Sequence, residues 1–424
     1  MKDQMRKGQT STKPIRVGVI GIGRGLGFAR GAGEAVSMKL VALCDQWKEK
    51  LKTMRGQFPG VSLYSDYDRF LEHDLDAVIL ANYFHQHAPF AIKALHAGFH
   101  VMSETSACRT LGEAAALADA VEKSGRIYMM AENYCFFAYN QEMRRLYRAG
   151  EIGEMRMGEC EYIHPDNSDA QLSRAPGLYH WRNWCPPTYY CTHALGPIMY
   201  ITDARPVSVN AQCIEYGDDD TQVTAVRKED PGFNILCRMD NRSNVLVNGL
   251  LLRGHGNWYR IHGSRGLMEN LRHGDRNMLR VVHDSFDLKP GEVGEKIYRP
   301  DFPVHADLAK RAGHGGGDFF TNHFFAEAIR AHRQPFLNVF RSLDMTVVGI
   351  QAYKSALDNG NTQVVPDFRK KSVRDQYRHE NWSPFPEDAG PGQPPPSIAG
   401  VPQATRRELA EARRIWKKQG YTGK

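Results

Sequence analysis

The chain has 424 residues, too many for one ordinary core, so two domains with some extension are expected. With 42% hydrophobic, 24% charged and 10% aromatic residues it has a globular composition, and it contains no apolar run long enough to span a bilayer. The net charge of +7, from 55 basic against 48 acidic residues, gathers toward the C-terminal end in RKKSVRDQYRH and TRRELAEARRIWKKQ. That stretch lacks the interleaved aromatics of a nucleic-acid surface and is read as a solvated or subunit-contacting arm, so neither nucleic acid nor membrane is an expected partner.

The opening MKDQMRKGQTSTKP is polar and basic without an apolar h-region, so the chain as given is expected in the cytoplasm; a trimmed export signal would leave the same trace. Its eight cysteines are scattered singly, as reduced thiols would be. From Pro14, short apolar runs (IRVGVIGIG, MKLVALCD, VSLYSD, DAVILAN, HVMSE, RIYMMAEN) alternate with helical segments, the pattern of βαβ units around a parallel sheet. Beyond Asn133 the texture changes. A helix around NQEMRRLYRAGEIG leads into period-two segments: MRMGECEYIHP, VSVNAQCIEYG, TQVTAVRKE, NILCRMDN, SNVLVNGLLLRG and WYRIHGSRG. These suit a mainly antiparallel, open sheet with one free face, while DFFTNHFFAEAIRAH and MTVVGIQAYKSALDNG read as helices. The fold expected is α/β: an N-terminal Rossmann domain with a doubly wound parallel sheet plus a C-terminal α+β domain. The expected boundaries are a flexible basic tail (1–13), the Rossmann domain (14–134), the α+β domain (135–384), and a Pro/Gly linker with a helical arm (385–424).

VGVIGIGRGLGFAR brings Gly21, Gly23, Arg24 and Gly25 to the end of the first strand, where a tight turn and bare backbone suit a pyrophosphate. Leu26 stands where strict GxGxxG wants glycine, so the motif alone is weak. Asp45 ends the second strand, where a carboxylate would bind a ribose 2′-hydroxyl and repel a 2′-phosphate. NAD is therefore favoured over NADP, with Arg24 the one group that could reach phosphate. Asn82, His85 and Glu104 end later strands at the same edge.

With VGVIGIGRG, Asp45, HAPFAIKALHAGFHV and Glu104, the chain resembles the Gfo/Idh/MocA group of NAD(P)-dependent sugar-active enzymes. Typical members continue the glutamate as Glu-Lys-Pro, the lysine assisting hydride transfer; here the stretch is Glu104-Thr105-Ser106. The blocks MMAENYCFFAYNQEMRRLYRAGEIGEM, ECEYIHP, HWRNW, YYCTHALGP and GHGGGDFF are similar to the NAD-dependent glycoside hydrolases of family 109, the alpha-N-acetylgalactosaminidase-like branch, which also lack that lysine. The resemblance implies cofactor contacts from Arg24, Asp45, Phe84, His85, His87, Glu104 and Asn133. It implies sugar contacts from Tyr162, Arg182 and Tyr190 through His193, with His164 and His314 as further candidates. An aromatic contact that the branch has near GSRGLMENLRHG has no tyrosine here, so the sugar is not inherited.

The implied reaction oxidises the sugar at C3, eliminates the glycosidic oxygen from C1 after loss of the C2 proton, adds water and reduces C3 again. His193 is the expected base for the hydroxyl proton, because imidazole titrates near neutrality. Tyr162 is the expected base for the C2 proton, provided that Arg182 lowers its pKa. Plainer readings stand beside these: His193 satisfying a backbone group, Tyr162 and Tyr189 as packing aromatics, and Asp318 as a helix N-cap. No metal is expected, since the short His/Asp clusters lack metal-site spacing. Ser103, Thr105 and Ser106 lack a nucleophile elbow. A sugar or cyclitol dehydrogenase is the alternative activity, and a homo-oligomer formed through the second sheet is the expected assembly.

Overall fold

A computed structural model describes residues 13–217, 224–254 and 256–421, so the expected basic tail falls almost wholly outside it. The first domain runs β1 (Ile15–Ile20), α1 (Gly25–Gly31), β2 (Met38–Cys44), α2 (Lys48–Gln57), β3 (Ser62–Tyr64), α3 (Tyr67–Leu71), β4 (Ala77–Leu80), α4 (His87–His96), β5 (His100–Ser103), α5 (Leu111–Ser124) and β6 (Tyr128–Met130). Its six strands lie in the order β3-β2-β1-β4-β5-β6, all parallel. Strands such as β4, buried at every residue, are apolar throughout because helices cover both faces. The helix limits follow local chemistry: Thr110 accepts the Glu113 N–H at the start of α5, and Gly125 closes it with φ of 64°.

The second domain runs α6 (Ala138–Arg148), β7 (Met155–Ile163), α7 (Ser168–Arg174), α8 (Thr192–Thr202), β8 (Pro206–Ile214), β9 (Gly232–Met239), β10 (Asn244–Leu250), β11 (Gly256–Gly263), β12 (Leu267–Asn270), β13 (Leu279–Val282) and β14 (Glu295–Tyr298). There follow α9 (Ala306–Ala309), α10 (Gly317–Ala331), α11 (Val339–Leu357), β15 (Gln363–Val364), α12 (Lys371–Tyr377) and α13 (Arg406–Lys418). Nine strands form one sheet, β14-β13-β12-β11-β7-β10-β9-β8-β15, antiparallel except where β7 meets β10. One face carries α8 and α11. The other is open, with Met157, Leu236, Leu246 and Ile297 exposed among an ion-pair lattice of Arg260, Glu269, Arg280 and Glu295.

Two expectations are corrected. The described part of TQVTAVRKE, from Thr224 onward, is a turn and not a strand. The chain after α9 packs α11 on the sheet and also reaches the first domain. Leu337 O accepts from Met130 N (3.0 Å), and Arg374 on α12 is buried against Asp119 and Glu122 of α5, so this stretch locks the two domains together. The C-terminal arm, expected to wrap a neighbour, docks on its own chain: Ala412, Ile415 and Trp416 form a small core with Leu172 and Val226.

Gly21, at the end of β1, has φ of +90°, and a Cβ there would overlap the Ala81 carbonyl, whereas Gly23 has open space around it. Gly21→Ala is therefore expected to destabilise the protein by about 2 kcal/mol or more, and Gly23→Ala to leave its stability close to the parent's. Melting temperatures of the two variants without ligand check this, and equal losses would contradict it.

Candidate active site

The carboxyl ends of β1, β2, β4 and β5 open into a cleft of about 1480 Å³ whose opposite wall comes from the second domain. At its outer end Asp45 is fixed by two backbone donors, Ile22 N to Oδ2 and Trp47 N to Oδ1, both 2.8 Å, and faces the cleft with lone pairs to spare for hydroxyls. Gly23 leaves its backbone bare, and Asn82, also in the cleft wall, has a buried Oδ1 without a partner. Bare backbone beside a hydroxyl-accepting carboxylate fits a pyrophosphate joined to a ribose.

Arg24 crosses from the glycine loop to the second domain. Its Nε lies 2.7 Å from Glu104 Oε1, while Nη1 and Nη2 donate to Asp318 Oδ2 (3.0 Å) and Oδ1 (2.6 Å). Asn133 Nδ2 and His314 Nδ1 also donate to Asp318, each at 2.9 Å. Burial opposes the charge on both Arg24 and Asp318, yet their mutual pairing and the Glu104 and His314 contacts outweigh it. Arg24 is held above its ordinary range and Asp318 well below the carboxylate range. With its cation matched by two carboxylates, Arg24 has no charge left for a 2′-phosphate. Asp318, read from the sequence as an N-cap, caps nothing; α10 starts without a side-chain cap.

In the second-domain wall, α8 begins at Thr192, so His193 stands in its first turn. Its Nδ1 donates to Glu132 Oε1 (2.8 Å); because a carboxylate only accepts, Nε2 keeps the lone pair. Glu132 is fully buried, and Tyr259 donates its hydroxyl to the His193 carbonyl (2.9 Å). Tyr134 stacks on the imidazole at 4.5 Å between centroids and Tyr162 meets it edge-on at 4.8 Å. Arg182 lies over the face of Trp181 (4.4 Å) and donates to the Tyr190 hydroxyl. His164 lies beside Tyr162, with ring centroids 5.8 Å apart. Lys50 and Lys93, the described lysines in the cleft wall, come from α2 and α4 at the Asp45 end.

Several expected site residues are corrected. Burial, followed by the nearby Tyr134 and Tyr190, pushes the Tyr162 phenol well up; Arg182 lowers it too little to matter, so Tyr162 rests protonated. Phe84 is buried away from the cleft against Trp181, Tyr189 and Phe385. His85 turns toward Phe385 and Glu387 (3.7 Å), and burial together with Arg109 and His87 lowers it to about 4. Gly25 packs its backbone toward Val19 and Ala81, bringing α1 onto the sheet, and does not line the cleft. His87 reaches the wall, but both ring nitrogens face carbonyl oxygens, of Ser106 (2.8 Å) and Asn82 (3.3 Å), so it ties β4 to the chain after β5. Tyr189 is a packing residue, as its plainer reading had it. Glu132, Tyr134 and the Asp318 hub were missed. Glu132 and Tyr134 sat in the quoted MMAENY, where only folding reveals their nearness to His193.

Residues 15–132 match the Gfo/Idh/MocA oxidoreductase family with its NAD-binding Rossmann fold, and residues 192–375 match the C-terminal domain of glycosyl hydrolase 109. The first domain belongs to the Gfo/Idh/MocA oxidoreductase family, and the second is similar to the glycosyl hydrolase 109 branch. Relatives in that branch include a glycosyl hydrolase family 109 protein of Solibacter usitatus (strain Ellin6076), 25% identical over 84% of this chain and 88% of the relative. An alpha-N-acetylgalactosaminidase of Tannerella forsythia is 26% identical over 80% and 82%. Among solved structures, a levoglucosan dehydrogenase with NADH and L-sorbose superposes with a TM-score of 0.71 at 20% identity, covering 84% of this chain and all of that one. An inositol dehydrogenase homologue with NAD+ from Azotobacter vinelandii gives 0.68 at 22% identity, covering 83% and 98%. As a member of the Gfo/Idh/MocA family the first domain is an NAD-binding Rossmann domain, in agreement with Gly23, Asp45 and the neutralised Arg24.

NAD is expected to bind about 100-fold more tightly than NADP, and Asp45→Ser to shrink that ratio below about tenfold. Calorimetric titration of both dinucleotides against both proteins measures it; an unchanged ratio in the variant would overturn the role given to Asp45.

Proposed function

We propose that the protein is an NAD-dependent glycoside hydrolase that cleaves a glycosidic bond by transient oxidation at C3, elimination, water addition and re-reduction. The observation that carries this reading is the imidazole of His193, oriented by buried Glu132 and open to the cleft through Nε2, in a chain where Thr105 follows Glu104 in place of a lysine. Bound NAD would supply the chemistry of removing a hydride from the sugar carbon and returning it.

His193 Nε2 accepts the proton of the C3 hydroxyl, and Glu132 holds the tautomer and stabilises the imidazolium that forms. Oxidation at C3 acidifies the C2–H bond; the C2 proton passes to water in the cleft, and the glycosidic oxygen leaves from C1 by elimination and takes a proton from water, without a carboxylate pair flanking the bond. Tyr162, protonated at rest, donates a hydrogen bond to the sugar oxygen on which enolate charge builds. Arg182 and Tyr190 hold sugar hydroxyls, the guanidinium kept flat by Trp181.

Mixing the pure protein and NAD+ with a panel of p-nitrophenyl glycosides, alpha-N-acetylgalactosaminide included, tests the reading. The expected result is aglycone release without net NADH, and loss of at least about 100-fold in rate in His193→Ala. Stoichiometric NADH from a sugar whose glycosidic bond stays intact would instead establish the dehydrogenase alternative.

We also propose that two copies pair through the open face of the nine-stranded sheet, where exposed Leu236 and Leu246 are register partners and exposed Met157 lies on the next strand, opposite Asn244. Light scattering after gel filtration should give a multiple of 47.9 kDa for the parent, shifted toward the monomer in Leu246→Glu. A monomeric parent would refute the pairing.

A further inference from the structure

The C-terminal arm lies beyond the matched family domains, which end at residue 375, yet it reaches the cleft. Its course is set by specific contacts. Ser397 Oγ donates to Asp230 (2.6 Å), Lys228 Nζ donates to the Pro402 carbonyl (2.6 Å), and Glu408 accepts from Ala225 N (2.8 Å) while completing a capping box with Thr405. The amphipathic α13 then buries Ile415 and Trp416 against α7, with Trp416 Nε1 donating to Leu172 O (2.9 Å). The chain turns back after Lys418, the Tyr421 N–H bonding Trp416 O (3.1 Å), and Gln419, Gly420 and Tyr421 become part of the cleft wall.

Tyr421 sits so closely on Gly177 that no side chain fits at that position. Across the cleft stands Tyr83, directly after β4 and beside the strand ends that carry Gly21 and Asp45; 42% exposed, it meets the His180 ring at 4.8 Å. Burial disfavours ionisation of the Tyr83 phenol, and Tyr421 and Asp45, both lining the same cleft, add to it. An aromatic pair at the Asp45 end of a dinucleotide cleft faces the adenosine half of its ligand.

We propose that the C-terminal arm is part of the dinucleotide site: Tyr421, delivered by α13, and Tyr83 flank the adenosine half of NAD and slow its release. This rests on the NAD-binding domain and not on the glycosidase reading. It also suits a cycle that regenerates its cofactor, because a dinucleotide that need not exchange at each turnover gains from slow dissociation.

The test compares the full chain with a chain ending at Lys418, which keeps the Trp416 anchor, and with Tyr421→Ala and Tyr421→Phe. Dissociation constants and release rates are read from protein fluorescence for NAD, ADP-ribose and nicotinamide mononucleotide. Both the shortened chain and Tyr421→Ala are expected to bind NAD and ADP-ribose about tenfold more weakly, with the change in the release rate, and the mononucleotide as the parent does. Tyr421→Phe, which keeps the ring, should restore the affinity. Unchanged NAD and ADP-ribose binding, or a loss confined to the mononucleotide or to sugar KM, would overturn the proposal. Failure of the full chain itself to bind NAD would strike the cofactor assignment instead.

Discussion

The structure turns on one guanidinium. Arg24 leaves the glycine loop of the first domain, meets Glu104 at the end of β5, and forms a two-pronged pair with Asp318 on α10 of the second. This joins the glycine turn directly to the far wall, and Asn133 and His314 add their donors to the same carboxylate. Removing one partner from such a largely buried pair leaves a charge without compensation, a loss of about 3 kcal/mol. The pairing therefore sets the width of the cleft before any ligand enters. It also uses up the cation, leaving cofactor choice to Asp45.

Across the cleft the chain solves a different electrostatic problem. A base for a sugar hydroxyl must hold a lone pair near neutral pH and tolerate a positive charge once it takes the proton. In the proposed role His193 is served by Glu132, a buried carboxylate that accepts from Nδ1 and so leaves Nε2 toward the cleft, and that would offset the charge that forms. The same burial works against Tyr162. Its phenol loses more from desolvation and neighbouring tyrosines than Arg182 returns, so a donor's role follows from the environment that a base would have to overcome. In the proposed reaction one pocket thus sorts two aromatic side chains into acceptor and donor.

The first domain was legible because its signals are local. Apolar runs bounded by turn residues, a glycine pair at a strand end and an acidic residue one strand later are all readable within a few tens of residues, and the strand order followed. His193 was legible for a similar reason, standing where a polar cluster meets a helix start. What escaped is long-range. Arg24 and Asp318 are 294 positions apart, and His193 and Glu132 are 61. Neither spacing carries a period or motif, so Glu132 read only as part of the block beginning MMAENY and Asp318 as a cap. Phe84 and His85 were misassigned because a strand end turns only some of its residues into the cleft; the 3-10 turn at Phe84–Gln86 packs these two against neighbouring aromatics away from it. The arm's destination was hidden for the same reason, since charge and a Pro/Gly linker describe a tether without naming its dock.

The central claim, that the glycosidic bond breaks by elimination from an oxidised sugar, is tested most directly by running the hydrolysis in D2O and examining the released sugar by NMR. The account predicts one deuterium at C2, delivered when the proton lost before elimination is replaced from solvent. A product with ordinary hydrogen at C2 would contradict it, because direct displacement at C1 never opens that bond.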